Sequence, residues 1–270
     1  MNIVGLGDCG CNIAAKFKKY SQYSVYLFNT SPESTVQLDE QLSHEEYEKN
    51  FSWPNPSIEH NETIFFTSSS GTISGCSLKL LEHFKDTKIR VVLIISEEGN
   101  SIERYMLQHK LIFNALQDYA RSGVFKDIIL ISNELIEETI PGITFINRFD
   151  KINEVISYSI HMINIFENTR PIAETKSSQR EHSRILSIGS YDYEEDEENM
   201  YFFLDTENEN IYYVSIPHEK LETDTELVGT MKKNFKNKEN STYQIFSNNH
   251  SSHYGFVVKK TFFHQGQKLS

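Results

Sequence analysis

Basic residues are the first shortage. The chain of 270 residues carries 26 Lys and Arg against 38 Asp and Glu, a formal net charge of −12, with no basic stripe. That excludes nucleic acid as the main partner, because neutralising phosphates takes clustered Lys and Arg. Cysteine is scarce as well. Cys9, Cys11 and Cys76 are the only three, an odd number that makes no disulfide framework and fits a reducing, cytoplasmic setting. Long apolar runs are missing too. The longest, "VVLII" at 91–95, suits a buried strand and falls far short of the ~20 residues that cross a bilayer, so no membrane insertion is expected. The N-terminus runs straight into a strand-like "MNIVGLG", without the pattern of a secretory signal. No segment recurs as an internal repeat.

What is present is an alternation of strand and helix over residues 1–168. "NIVGL" leads into "CNIAAKFKKY", "YSVYLFN" into a polar stretch, and "TIFFT" into a helix after residue 74. "IRVVLIIS", a helix over about 101–122, "DIILIS", "ITFI" and a helix over about 149–168 complete the series. Apolar strands between amphipathic helices predict a parallel α/β sheet covered on both faces. In the last helix Phe149, Ile152, Ile156, Ile160, Ile163 and Phe166 recur at spacings of three and four, one apolar stripe that leaves the polar start of the helix at a mouth. Residues 30–62 form a long polar segment with the only tryptophan, Trp53. It reads either as a lid or interaction surface, or as a solvated excursion.

Residues 169–183 lack an apolar period and read as a linker. Beyond them "RILSIGS", "MYFFLD", "IYYVSI", "TYQIFS" and "YGFVVKKTFF" read as strands, with one amphipathic helix near 224–236. "TENEN" and "NNHSSH" read as hairpin connections of a smaller α+β domain over 184–270. The run "DYEEDEE" at 192–198 reads as a solvated acidic loop ahead of a cation site.

Two loops of small residues carry the chemistry. The first strand ends in "GLGDCG", which matches G-x-G-x-x-G at Gly5, Gly7 and Gly10. A dinucleotide site also wants an acid at the end of the second strand. That strand ends in Asn29, Thr30 and Ser31, with Glu33 only later in the loop, which demotes NAD. The second loop, "SSSGTISG" at 68–75, has hydroxyls but no lysine, so it is no P-loop. Each loop joins a strand's carboxyl end to a helix N-terminus, and together they enclose a place for one polyphosphate from two sides.

In this order the motifs resemble those of the tubulin/FtsZ superfamily. "GLGDCGCN" keeps Gly5, Gly7, Gly10 and Asn12 of the first family loop. "SSGTISG" keeps Gly71, Thr72, Ser74 and Gly75 of the signature loop, with Ser69, Ser70 and Ile73 where the family has glycine. "FDKINEVISYSIHMI" places Phe149 and Asn153 at the start of the central helix, with Glu154 following, and Asn133 after "DIILIS" matches the family's asparagine loop. The resemblance covers about residues 1–168. It implies a Rossmann-like GTPase domain joined by a central helix to the smaller α+β domain. It implies GTP or GDP as ligand with Mg²⁺, and head-to-tail self-assembly into filaments.

The implied nucleotide contacts are Gly5, Gly7, Asp8, Cys9, Gly10, Asn12, Ser70, Gly71, Thr72, Ser74 and Gly75 around the phosphates, and Asn133, Phe149 and Asn153 around the base. Short divergent members of this kind resemble those of bacteriophages, which implies a host cytoplasm. Two departures stand against the family pattern. If Ser69, Ser70 and Ile73 need φ > 0, each costs on the order of 1–2 kcal/mol, and the branched Ile73 obstructs phosphate. The acidic loop that completes hydrolysis after the central helix is not recognisable, leaving only Glu167, Glu174 and Glu181. Slow or no hydrolysis is therefore expected, and a fold that has lost its nucleotide and serves as a scaffold is the alternative.

Single residues have plainer readings beside these. Asp8 is either a helix N-cap or a water-mediated Mg²⁺ ligand. Phe149 and Asn153 also suit a hydrophobic staple and a polar surface position. The three cysteines read as small residues that make room for phosphate rather than as a zinc site. "HSSH" at 250–253 is expected to face solvent.

Overall fold

Twelve strands join into one continuous sheet. In the computed structural model, residues 1–53, 60–96, 103–175, 182–236, 238–250 and 252–266 are described. The first half runs β1 (Asn2–Leu6), α1 (Gly7–Ala15), β2 (Ser24–Asn29), β3 (Val36–Gln37), α2 (His44–Asn50), β4 (Glu62–Ser68), α3 (Ser77–His83), β5 (Lys88–Ile95), α4 (Glu103–Arg121), β6 (Asp127–Ser132), α5 (Asn133–Thr139) and α6 (Arg148–Glu167). The second runs β7 (Ala173–Glu174), β8 (Ile185–Asp192), β9 (Glu197–Met200), β10 (Glu209–Pro217), α7 (His218–Thr223), α8 (Leu227–Phe235), β11 (Ser241–Asn248) and β12 (Tyr254–Thr261). The order across the sheet is β3-β2-β1-β4-β5-β6-β8-β12-β10-β11-β7, with β9 on β8.

The run from β3 through β8 is parallel, as fully apolar strands between helices require. All their carboxyl ends therefore share one edge, and α1 and the second loop start from it. Alternate residues feed two cores. Ile3, Phe66, Val92 and Ile129 pack on one face with α1 and α6, while Val4, Phe65, Leu93 and Leu130 pack on the other with α3 and α4. The apolar stripe of α6 is buried as its period predicts, at Ile152, Ile156, Ile160, Ile163 and Phe166. Phe166 stacks on Tyr213 and touches Phe246, so the helix lies under both halves of the sheet. The other face beyond β8 is closed by Leu227 and Met231 of α8 on Tyr212 and Val214. Among the described residues no helix is long and apolar enough to cross a membrane.

Several local expectations fail for physical reasons. "ITFI" is no strand, because the edge of β6 where it would pair is taken by β8. It forms a turn instead, with Gly142 at φ 67° and Phe145 and Ile146 89% and 97% exposed. "MYFFLD" is strand only at Met200, the last residue of β9. "TENEN" and "NNHSSH" do not close hairpins, since β10 pairs β11 and β12, and β12 lies between β8 and β10.

The hairpin is made by the acidic run itself, which turns β8 into β9 with Asp196 at φ 55°. That run is not a free solvated loop. Asp196 and Glu198 meet Lys238 at 2.7 and 3.0 Å, Glu194 pairs with Lys220, and Asp192 lies 3.2 Å from His253. His253 is thus a partner of the turn rather than solvent-facing. Residues 173–174 of the expected linker pair with β11.

Candidate functional site

The first loop follows β1 without a spacer. Gly7 takes φ 70°, a conformation that glycine adopts at no steric cost, and α1 begins there with Leu6 as its cap residue and no side-chain cap. Asp8 is consequently not the N-cap. It sits in the first turn, where a carboxylate suits the helix dipole, and accepts a hydrogen bond from Asn29 Nδ2 at 2.7 Å. Gly5 and Gly10 work inside the sheet. A Cβ on Gly10 would lie 2.3 Å from the Phe66 carbonyl oxygen, and one on Gly5 2.4 Å from that of Gly10. These two glycines let α1 press against β1 and β4. Asn12 is exposed on α1.

Burial pushes the thiols of Cys9, Cys11 and Cys76 up to about 12, so they are neutral. The Cys11 thiol lies 3.3 Å from the Gly5 carbonyl and 3.4 Å from that of Phe28. Among the described residues no group of three His, Cys, Asp or Glu could hold a metal ion.

The second loop leaves β4 with Ser69 buried, its N–H donating to Ile94 O at 2.9 Å. Gly71 has an ordinary extended φ of −70°. Among the described residues only Asp196 and Asn240 are non-glycine with positive φ, so Ser69, Ser70 and Ile73 carry no left-handed strain. A 3-10 turn over Thr72–Cys76 runs directly into α3, and the first N–H groups of such a turn have no intrahelical acceptor. Ser74 Oγ donates to Gly71 O at 2.5 Å and lies 3.4 Å from His44 Nε2.

The long segment after β2 is folded onto this loop. A Cβ on Gly75 would stand 2.1 Å from the His44 carbonyl oxygen. Trp53 stacks on His83 at 4.2 Å and on Phe28 at 5.8 Å. Residues 54–59 of that segment lie outside the described residues.

The two loops enclose a cleft of about 350 Å³, within the ~300–1,000 Å³ common for small-molecule sites. Asp8 and Cys9 line it from the first loop, and Ser70, Gly71, Thr72, Ile73 and Ser74 from the second. Leu6, Asn29, Thr30, Thr67, Ser68 and Tyr47 complete the wall, and the sequence motifs do not mark these as ligand contacts. A signal for Asn29 and Thr30 existed, because ligands gather outside the carboxyl ends of neighbouring parallel strands. Gly5, Gly7, Gly10, Asn12 and Gly75 do not line the cleft. Ile73 leans across it: its Cγ2 lies 2.5 Å from where a Cβ on Gly7 would stand. No Lys or Arg is among the described lining residues, so an anion here needs charge compensation from elsewhere.

Asn133, Phe149 and Asn153 are not among the residues that line that cleft. Asn133 opens α5 behind Ser132, whose hydroxyl caps Leu135 N–H at 3.3 Å. Its own Oδ1 is buried without a hydrogen-bond partner. Asn153 is buried on α6, and Phe149 is 48% exposed with the Arg148 guanidinium 4.5 Å from its ring. Phe149 is therefore no buried staple.

No family model matches the chain, and no curated protein does. Solved structures do. FtsZ from M. jannaschii, an empty dimer, has 13% identity and a TM-score of 0.65, with 96% of this chain and 87% of that chain covered. A GTPγS-form protofilament of TubZ from Bacillus thuringiensis serovar israelensis has 11% identity and a TM-score of 0.67, covering 96% and 86%. The GTPγS-bound protofilament of CetZ2 from Haloferax volcanii also has 11% identity and 0.67, covering 96% and 92%. This chain has the tubulin/FtsZ fold.

The likeness extends past residue 168, where the motifs end, through the mixed half, in which β10 and β11 are parallel and the other pairs antiparallel. At such identities it lies in the course of the backbone, so each side chain is judged by its own geometry.

At the end of α6 and beyond it, up to residue 183, this tubulin/FtsZ fold carries three carboxylates, Glu167, Glu174 and Glu181. Glu167 closes α6 and is already held, 2.9 and 3.1 Å from Arg90 and 3.3 Å from Lys126. Arg90 also clamps Asp127 at 2.7 and 2.8 Å. Burial alone would raise the Glu167 carboxyl, but Arg90 and Lys126 outweigh it and bring it to about 2. Glu174 is exposed in β7, the outermost strand, and Glu181 lies outside the described residues.

Proposed function

We propose that this chain binds guanine nucleotide, with the phosphates in the cleft between the two loops, and assembles head to tail through the joint that the nucleotide occupies. The observation that carries the reading is that cleft, set at the carboxyl edge of parallel strands and lined by Asp8, Ser70, Gly71 and Thr72. The N–H groups at the start of the 3-10 turn suit phosphate oxygens. The donor set fits the group, and at the base end the unpartnered Asn133 Oδ1 is an acceptor suited to a guanine N–H.

Asn153 and Phe149 would complete the base contacts by hydrogen bonding and stacking. Mg²⁺, when bound, supplies the positive charge that the lysine-free wall lacks, with Asp8 and the Thr72 hydroxyl as the groups that would hold it. Residues 1–168 would serve as the nucleotide-binding unit and 184–270 as the smaller one, in a cytoplasmic setting.

Head-to-tail assembly is supported by the solved protofilaments of TubZ and CetZ2 that share the fold. Heterologous contacts of this kind propagate rather than close. Hydrolysis would be slow or absent, because Glu167 is engaged with Arg90 and Lys126 and no other carboxylate is assigned. A second reading, a scaffold of the same fold without nucleotide, is favoured by one observation: Ile73 fills the space beside Gly7.

Calorimetry with GTP, GDP, ATP and NAD, paired with electron microscopy in each nucleotide, separates these. Guanine-dependent filaments support the first reading. Filaments indifferent to every nucleotide support the second.

A further inference from the structure

The lysine-free loop is braced from behind by two buried histidines. His109 on α4 brings Nδ1 to 2.7 Å from Ser69 Oγ. His44, the first residue of α2, brings Nε2 to 3.4 Å from Ser74 Oγ. All four residues are buried, and the two serines bracket the stretch 70–73 that lines the cleft. Ser69 stands where the family signature has glycine. A buried hydroxyl left unpaired there would be destabilising, and His109 supplies the partner.

Resting on the nucleotide reading above, we propose that His109 and His44 are positioning residues of the anion site. They hold Ser69 and Ser74 while neutral, and take up protons from solvent when a polyphosphate fills the cleft. In the neutral state His44 Nε2 carries the proton and donates to Ser74 Oγ, whose own hydroxyl proton goes to Gly71 O, while His109 Nδ1 accepts the Ser69 hydroxyl proton. Once the rings are protonated, both nitrogens donate and the serine oxygens accept. The brace persists while its charge changes, which supplies in part what a P-loop lysine supplies elsewhere.

The surroundings suit this role. Burial lowers His44 below the ordinary histidine range; Glu45 and Glu48 of its own helix oppose this, and Arg104 of α4 adds to it. His109 is lowered by burial alone, with the Phe113 ring 5.4 Å away and no charged group acting on it among the described residues. Both rings are therefore neutral at pH 7 with the cleft empty. A phosphate charge in front of the loop favours the imidazolium that burial disfavours.

The test is titration of the full chain with Mg·GTP at pH 8, 7 and 6, and at pH 7 in two buffers of different ionisation heat. Wild type is compared with His109→Gln, His44→Gln and His109→Ala. Wild-type affinity is expected to rise about 3- to 10-fold from pH 8 to pH 6 beyond the rise in the Gln variants, with net proton uptake in the calorimeter. Titration of the nucleotide's own phosphate is common to all and cancels. His109→Gln keeps a hydrogen-bonding group and should hold the pH 8 affinity within about 3-fold, whereas His109→Ala should lose about 10-fold or more at every pH.

Thermal unfolding checks each variant, and if His109→Ala does not fold, the Gln variants decide alone. Parallel pH profiles for wild type and both Gln variants overturn the proposal and leave the nucleotide reading standing. Failure of wild type to bind GTP at any pH overturns both, and is told apart by the absence of binding heat at pH 8.

Discussion

The two loops that line the cleft reach the same edge of the sheet by opposite means. The first keeps its glycines and turns two of them inward, where Gly5 and Gly10 let α1 lie against β1 and β4. The second has serine where glycine was expected and needs no left-handed residue. Two of its serines, Ser69 and Ser74, lie within hydrogen-bond distance of His109 and His44. A glycine-rich signature thus mixes packing constraints with ligand constraints. Only the packing share is rigid here, since a Cβ at Gly10 collides with backbone while the chain at Ser69 accommodates a side chain.

Substitutions test that contrast. The largest effect is expected for Gly10→Val, whose side chain meets the Phe66 carbonyl and should cost about 3 kcal/mol or more, read as a lower urea midpoint. Ser69→Gly, which clashes with nothing but leaves the buried His109 Nδ1 without its partner, should cost less, about 1–3 kcal/mol. Gly75→Ala comes next, at about 1–3 kcal/mol, because its Cβ meets the His44 carbonyl. Trp53, stacked on His83 and Phe28, should report the loss of that packing on unfolding as a fluorescence shift.

Glu167→Gln is a control remote from both loops. Its carboxyl is held near 2, against 4.5 in a free side chain. Its stabilisation is therefore full above about pH 4.5 and lost as pH falls toward 2. The variant should flatten acid unfolding over that window and leave GTP turnover unchanged; a fall in turnover would show Glu167 to be the missing acid. The smallest effect is expected for Ile73→Ala. It should cost about 1 kcal/mol while tightening nucleotide a few-fold, and unchanged affinity would mean that Ile73 does not hinder phosphate.

Most of the parallel half was legible because buried parallel strands are written as apolar runs, as in "VVLII" and "DIILIS". The mixed half beyond β8 was less so. "TENEN" and "NNHSSH" look like hairpin turns, yet pairing there is non-local, and residue composition does not say which strand inserts between two others. α5 is not legible, because Asn133 reads as part of a loop, although the Ser132 hydroxyl caps the short helix that Asn133 opens. In the site, Asp8, Cys9, Ser70, Gly71, Thr72 and Ser74 were named from the loops and do line the cleft. Tyr47 was not foreseeable, since it arrives from a helix inside a segment whose course no periodicity reveals. Nor was the role of His109, which sits 40 residues from Ser69 on the buried face of a helix that looked only amphipathic.

The central claim is that the cleft between the loops holds the phosphates of a guanine nucleotide. The most direct measurement is calorimetric titration of wild type and Thr72→Trp with GTP, ATP and NAD, each with and without Mg²⁺. The account predicts one GTP per chain, bound more weakly without Mg²⁺, with ATP and NAD weaker still. It also predicts no binding to Thr72→Trp, whose ring would fill the cleft while the fold unfolds at an unchanged temperature. Binding of NAD as tight as GTP, or GTP bound equally by Thr72→Trp, would contradict it.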